Sequence, residues 1–376
     1  MNILLITPEY PPYGSGIANV VYTIQNHLLK KGIHVSVLSQ KGADITVSNP
    51  FISLPGLASL IPFWQKAVNY ASKVKGYDVI WLHSPLLVNA KKLHYLKKVI
   101  ITFHSTYRGF YKACREYALN IFLPYYLLAT KLENHFLKQL SSNKNIIVTA
   151  VSPSVANELR ENGLTLYPYL IPNGVNTLSH MMLDKYQARK LLQRRYNLQL
   201  SEESMLLLYV GRITEIKQPL LLINLFKKLS YVCSDLNLHL IIIGSGTLLK
   251  KLKEKSYDQN NIHILGYVRH NELYVPFSAA DVFISLSCYE GNPLAVIEAM
   301  SFNLPLILSD IPAHNWIISS NVGYGILVNL HRLNLIKMCN FLREIKEKKI
   351  RINKLFLKQF TWENIIERYL NLLNDF

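Results

Sequence analysis

Acidic residues and cysteines are both scarce in this chain of 376 residues, and each shortage removes a class of protein. Only 24 Asp+Glu stand against 41 Lys+Arg. That imbalance favours anionic partners without choosing between nucleic acid, phosphorylated small molecules and acidic membrane surfaces. It is concentrated between residues 51 and 150, where 13 basic residues meet three acids, Asp78, Glu116 and Glu133. The four cysteines, Cys114, Cys233, Cys288 and Cys339, form no C-x-x-C pair. They read as reduced cytosolic thiols, which excludes a disulfide framework and a cysteine zinc site. No run reaches the roughly 18 apolar residues of a membrane span. The nearest, residues 118–129, contains Asn120 and Pro124. The opening MNILLITPEYPP lacks a basic n-region, so no secretory signal is expected and the chain is placed in the cytoplasm. H-E-x-x-H is absent, and so is any D-x-D pair for holding a divalent ion on a sugar diphosphate; no metal site is predicted.

What is present is apolar and alternating. Half of the residues are hydrophobic and 17% are charged, which suits parallel sheets whose strands are buried on both faces. The length asks for two such cores. Strands are expected at 3–7, 34–39, 79–82, 99–103 and 146–151, with a helix at 17–31 completing the first βαβ unit. LIPNGVN (170–176) carries the Pro and Asn-Gly punctuation of an interdomain turn. A second series follows at 205–210, 238–243, 262–265, 282–286 and 304–308. In FTWENIIERYLNLLNDF, Thr361 is the N-cap of a terminal helix. The expected organisation is α/β: an N-terminal Rossmann-like domain at 1–172, a C-terminal one at 173–360, and a helix at 361–376 that packs back on the first. Doubly wound sheets bind ligands outside the carboxyl ends of their strands, so a cleft between the two is the expected active site.

Two stretches carry chemistry. In YEGNPLAVIEAM (289–300), Glu290 precedes a Gly-Asn-Pro turn and Glu298 lies further along the helix that begins near Pro293. The amides of Gly291, Asn292 and Leu294 are expected to be free for an anion. A carboxylate at the mouth can accept from sugar hydroxyls, and one inside the helix can reach a ribose diol. Taken alone, the pair also reads as two ordinary surface acids, but Glu298 sits among apolar residues and would need a hydrogen-bonded partner. In LLLYVGRITEIKQP (206–219), a buried strand ends at Gly211; Arg212 offers a bidentate fork for phosphate and Lys217 a point charge. The alternative for this loop is a solvated basic turn.

GR-x4-K followed by EG-x6-E-A resembles glycosyltransferase family 4, a group of retaining enzymes with the GT-B fold. The resemblance runs over nearly the whole chain, through TPEYPPYGSG, FHS at 103–105, AVSPSVANEL, IPNGVN, IIIGSG, LGYV and FTWENI. It implies a metal-independent hexosyltransferase that needs no cofactor beyond a nucleotide-sugar co-substrate, UDP-sugar first and GDP-mannose next. By the same resemblance, Arg212 and Lys217 bind the donor diphosphate, Glu290 the sugar and Glu298 the ribose. Gly291, Asn292, Pro293 and Leu294 contact phosphate and sugar. Gly14, Ser15 and Gly16 form a loop over the phosphates, His104 stands near the reacting sugar, and Gly244, Tyr267 and Val268 lie near the nucleotide. The chain departs from the family at Ser301-Phe302-Asn303-Leu304-Pro305, where a small residue and Gly are usual before the Pro. Asn303 is expected to supply the left-handed turn, and Phe302 to alter packing behind the site.

His104 also reads as a structural histidine, and the remaining histidines as surface or core residues. The acceptor is expected to be a glycan, a lipid-linked glycan or another glycoconjugate. The basic, aromatic stretch 105–140 either lies on an anionic membrane at the inner face of the cell membrane or is a solvated face. No nucleic-acid module is recognisable. A nucleotide-sugar epimerase of the same architecture and a non-catalytic sugar-nucleotide binder remain the alternatives.

Overall fold

Strands β4 (Val79–His83), β5 (Val99–Phe103) and β6 (Ile146–Ala150) bury every one of their residues. Such strands require a sheet covered on both faces, and that is what forms. A computed structural model describes residues 1–12, 16–49, 51–52, 56–140, 144–175, 178–319, 324–347 and 357–374. The chain divides into two units, Met1–Gly174 with Trp362–Phe376, and Val175–Thr361. Among the described residues no helix is long and apolar enough to cross a membrane.

Unit 1 adds β1 (Asn2–Ile6), β2 (His34–Ser39), β3 (Ile45–Thr46) and β7 (Tyr169–Leu170) to those strands, in the order β3-β2-β1-β4-β5-β6-β7. All pairings are parallel, with Ile3 opposite Val79 and Ile80 opposite Val99. The helices are α1 (Gly16–Lys30), α2 (Leu57–Ala71), α3 (Tyr107–Glu116), α4 (Leu123–Leu140) and α5 (Pro153–Glu161). Local sequence sets where they begin. Thr106 caps α3 by accepting from the Gly109 amide at 2.9 Å. Ser152 caps α5, with Pro153 pre-set for the first turn.

The terminal helix Trp362–Asn374 belongs to this unit. It buries Trp362, Ile365, Ile366, Tyr369, Leu372 and Leu373. The Tyr369 ring lies 4.4 Å from that of Trp81 in β4, whose indole donates to Thr102 at 2.8 Å. The Asn-Gly of the linker has a packing reason as well. A Cβ on Gly174 would stand 2.4 Å from the Trp362 indole, so only glycine lets the returning helix lie against the segment that follows β7.

Unit 2 contains α6 (Lys185–Tyr196), β8 (Met205–Val210), α7 (Pro219–Val232), β9 (Leu238–Ile243), α8 (Leu249–Ser256), β10 (Ile262–Gly266), α9 (Tyr274–Ala279), β11 (Val282–Ser285), α10 (Leu294–Ser301), β12 (Leu306–Ser309), α11 (Pro312–Ser319), β13 (Gly325–Val328) and α12 (Leu335–Glu347). Its parallel sheet runs β10-β9-β8-β11-β12-β13. The order reverses between β8 and β11, and at such a reversal the loops leaving the two carboxyl ends diverge and open a crevice. The strand expected at 304–308 begins at Leu306, because the chain first turns through Asn303 at φ +59°. Phe302 is buried there, stacked 5.2 Å from Phe277.

All four cysteines are buried. Cys233 ends α7 and Cys339 lies in α12; the two helices lie together and bring the two Cα atoms within 5.8 Å.

The glycine reading is testable by urea denaturation. Gly174→Ala forces a methyl group into the Trp362 ring and is expected to cost about 1–3 kcal/mol. An unchanged midpoint would contradict the close approach.

Candidate active site

At the reversal of strand order in unit 2, two loops are tied to each other. After β8 the chain passes Gly211 and Arg212, makes a short 3-10 turn at Glu215–Lys217, and enters α7 through Gln218 and Pro219. After β11 it passes Ser287 and Cys288 before Glu290. The Cys288 amide donates to the Ile216 carbonyl at 2.9 Å, which fixes one loop against the other. The neighbouring residues therefore meet: the Lys217 ammonium forms a salt bridge with Glu290, whose side chain is 13% exposed. Glu290 Oε1 also accepts from the Ser287 hydroxyl at 2.7 Å. Burial pushes the Glu290 carboxyl up, but the Lys217 charge and the hydrogen bonds from Lys217 and Ser287 outweigh it and hold the group below its ordinary value.

Arg212 lies on the same loop and is exposed. Tyr209, buried in β8, donates its hydroxyl to the Arg212 carbonyl at 2.8 Å and so sets the backbone from which the guanidinium extends. Among the described residues no ion pair includes Arg212. Gly244 and Gly246 serve this loop. A Cβ on Gly244 would stand 1.8 Å from the Gly211 carbonyl oxygen, and one on Gly246 would stand 2.4 Å from that of Ile213. The IIIGSG motif thus lets the loop after β9 press backbone to backbone on the loop after β8.

Helix α10 starts after an inverse turn at Pro293, in which the Leu294 amide donates to the Asn292 carbonyl at 3.0 Å. The expectation that the Leu294 amide is free is therefore corrected: the geometry at Pro293 folds it back on its own turn. Glu298, further along α10, is 13% exposed and bonds through Oε1 to His270 Nε2 at 2.8 Å. Here is the partner its apolar neighbours demand. His270 opens the 3-10 turn after β10, just beyond Tyr267, which is 75% exposed, and Val268, which is buried. The hydrogen bond to Glu298, against the effect of burial, holds His270 above its ordinary value.

Sequence reasoning did not single out His270 or His314. His314, in α11, is fully buried behind the Lys217–Glu290 pair, and the charges of both residues act on it. No spacing motif marks either histidine, although each follows the carboxyl end of a strand by a few residues. Gly14 and Ser15 lie outside the described residues, and Gly16 is the first residue of α1.

His104 lies in unit 1. It follows β5, is buried, and its Nε2 lies 3.0 Å from His83 Nδ1 at the end of β4, with the rings stacked. Burial pushes His104 down to about 4, so both imidazole bonding and a neutral ring are available there. His83, Ser84 and Phe103 line a cavity of about 170 Å³ together with Thr7, Tyr107 and Glu133. Burial raises the Glu133 carboxyl to about 7, against hydrogen bonds from the Tyr107 and Arg108 amides and Asn162. Among the described residues no group of three or more His, Cys, Asp or Glu could hold a metal ion.

Comparison with known proteins follows the same division. Residues 14–178 match the family described as Glycosyltransferase Family 4, and residues 193–334 match Glycosyl transferases group 1. An uncharacterized glycosyltransferase, MJ1059, of Methanocaldococcus jannaschii is 37% identical over 133 residues, a stretch that is 34% of this chain and 32% of that protein. Alpha-monoglucosyldiacylglycerol synthase of Acholeplasma laidlawii is 25% identical over 330 residues, covering 82% of this chain and 80% of that protein. Among solved structures, sucrose-phosphate synthase from Thermosynechococcus elongatus superposes with a TM-score of 0.76 at 19% identity, covering 100% and 98% of the two chains. Anabaena Alr3699/HepE in complex with UDP-glucose gives 0.68 at 15%, covering 100% of both. These two structures establish likeness of fold.

The His270–Glu298 bond has a pH signature. A histidine raised by a partner adds stability that is fully present below its unfolded value, near 6.5, and is lost as pH rises through the raised folded value. An NMR titration is expected to place the His270 midpoint above 6.5, and Glu298→Gln to bring it down. A parent midpoint at or below 6.5 would contradict the pairing.

Proposed function

The chain belongs to the family 4, group 1 glycosyltransferases of GT-B fold, and from that premise we propose that unit 2 holds a nucleotide-sugar donor at the Lys217–Glu290 pair. The observation that carries the proposal is the meeting of a lysine and a glutamate from two loops at the point where the strand order reverses. UDP-hexose is the favoured donor and GDP-mannose the next. Alr3699/HepE was crystallised with UDP-glucose, which supports a uridine nucleotide here.

In this reading Lys217 and Arg212 balance the diphosphate, and Glu290 accepts from the sugar hydroxyls. Glu298, oriented by His270, takes the ribose diol. The bond from the anomeric carbon to the diphosphate oxygen breaks through a state resembling an oxocarbenium ion. The negative charge left on the diphosphate is stabilised by the two cations already in place, without a metal. The acceptor hydroxyl attacks from the face that the nucleotide leaves, its proton passes to a donor phosphate oxygen, and the anomeric configuration is retained. Unit 1 takes the acceptor, with His104 at the reacting sugar.

The acceptor is a glycan or a lipid-linked glycan. The A. laidlawii relative is named for a lipid product, which favours the lipid-linked class. Unit 1 also presents Ile121 at 85% and Leu128 at 54% exposure within its basic stretch. An anionic membrane at the cytoplasmic face fits that surface, and co-sedimentation with anionic liposomes at low salt is the expected outcome; no binding there would remove the membrane contact.

A thermal-shift screen of UDP, GDP, ADP and their sugars tests the donor. One nucleotide at about 100 times its dissociation constant is expected to stabilise by about 2.7 kcal/mol. Arg212→Ala, at an exposed position, should leave the fold intact and weaken that nucleotide at least about tenfold. NMR of the product should show the anomeric configuration of the donor. No stabilisation by any nucleotide, or an Arg212→Ala variant that binds as the parent does, would overturn the reading.

A further inference from the structure

The residue behind the Lys217–Glu290 pair has its proton placed by its neighbours. His314 Nδ1 lies 3.0 Å from both the carbonyl oxygen and the hydroxyl of Ser309. The Ser309 hydroxyl spends its single hydrogen on the Ser287 carbonyl at 2.5 Å. Toward His314, then, the hydroxyl can only accept, and the Ser309 carbonyl can only accept in any case. The hydrogen between them therefore belongs to His314 Nδ1. Nε2 is buried and, among the described residues, has no hydrogen-bond partner. Burial pushes the group down to about 4, against Glu290 and the Ser309 carbonyl, so the ring is neutral at ordinary pH and Nε2 carries a bare lone pair.

The bonds continue in one direction toward the salt bridge. Ser309 ends β12, and its hydroxyl grips the backbone of Ser287, two residues past the end of β11. Because the Ser287 hydroxyl donates to Glu290, it can only accept from Ser285, whose hydroxyl lies 3.2 Å away. The donor sequence His314 to Ser309 to the Ser287 backbone thus fixes the peptide whose side chain aims at Glu290.

We infer that His314 is a positioning residue: as the neutral Nδ1–H tautomer it locks Ser309 onto the Ser287 carbonyl and thereby sets the direction of the Glu290 carboxylate toward the sugar. The inference rests on the proposed function for its consequence, since Glu290 matters to a ligand only if a sugar sits there. It does not rest on that function for its geometry. His314 acts through Ser309 and touches no substrate.

Two measurements test it. In protein labelled with nitrogen-15 histidine, long-range NMR correlations should assign His314 as the neutral Nδ1–H tautomer from pH 5.5 to 8, with no ligand added. The Nε2–H tautomer, or a midpoint near 6.5, would overturn the inference whether or not the protein binds nucleotide sugars. The second measurement is the affinity for UDP-glucose relative to UDP in the parent, His314→Asn, His314→Gln, Ser309→Ala and the double variant Ser309→Ala/His314→Gln. Asn places an amide N–H near the Nδ1 position and should keep the sugar's contribution to within about threefold, whereas Gln and Ser309→Ala should each lose about tenfold of it. UDP affinity should hardly change. If His314 works through Ser309, the double variant is no worse than either single one. Additive losses, or a Gln variant equal to the parent, would sink the relay. If the parent binds neither UDP nor UDP-glucose, the donor reading fails, and the tautomer still decides whether the relay exists.

Discussion

A lysine and a glutamate that are both mostly removed from water must stay together. Taking away either partner leaves a buried charge without compensation, a loss of about 3–5 kcal/mol where such pairs have been broken. The Lys217–Glu290 bridge therefore constrains what surrounds it. Its two members come from loops 73 residues apart in sequence. They can meet only because β8 and β11 are neighbours at the reversal of strand order and because Cys288 bonds to Ile216. The glycines at 244 and 246 exist to let the third loop press against the first. A pair held this way is also a poised one. In the proposed reading, incoming phosphate competes for the lysine and sugar hydroxyls for the glutamate, each replacing the partner that is given up.

The second carboxylate follows the same logic with a weaker partner. Glu298 has His270 rather than a lysine, and His270 is about half exposed, so this bond is tuned by pH and is easier to open. Two carboxylates on either side of one helix start are thus held to different degrees, Glu290 firmly and Glu298 adjustably. That division suits one group that aligns the reacting sugar and another that admits a ribose.

Much of the fold was legible because many of its strands are nearly uninterrupted apolar runs: 99–103, 205–210 and 238–243 have the bounds read from the sequence, as does the alternating strand 34–39. The strand near 304 was shifted by Asn303, whose left-handed backbone delays pairing until Leu306. Within unit 2, Lys217 and Glu290 meet from loops that follow strand ends, where chain punctuation marks them, and Arg212 lies on the Lys217 loop; Glu298, further along α10, pairs with His270 instead. What could not be read were contacts made by tertiary packing alone. Nothing local announces that Cys233 and Cys339 will face each other across two helices, that Leu294 will fold its amide onto Asn292, or that His270 and His314 will back the two glutamates.

A crystal structure of the protein with a bound sugar nucleotide, UDP-glucose as the first choice, bears most directly on the central claim. The account predicts the diphosphate against Arg212 and Lys217, with sugar hydroxyls within hydrogen-bond distance of the Glu290 carboxylate. A nucleotide bound elsewhere, with the Lys217–Glu290 bridge closed and untouched, would contradict it.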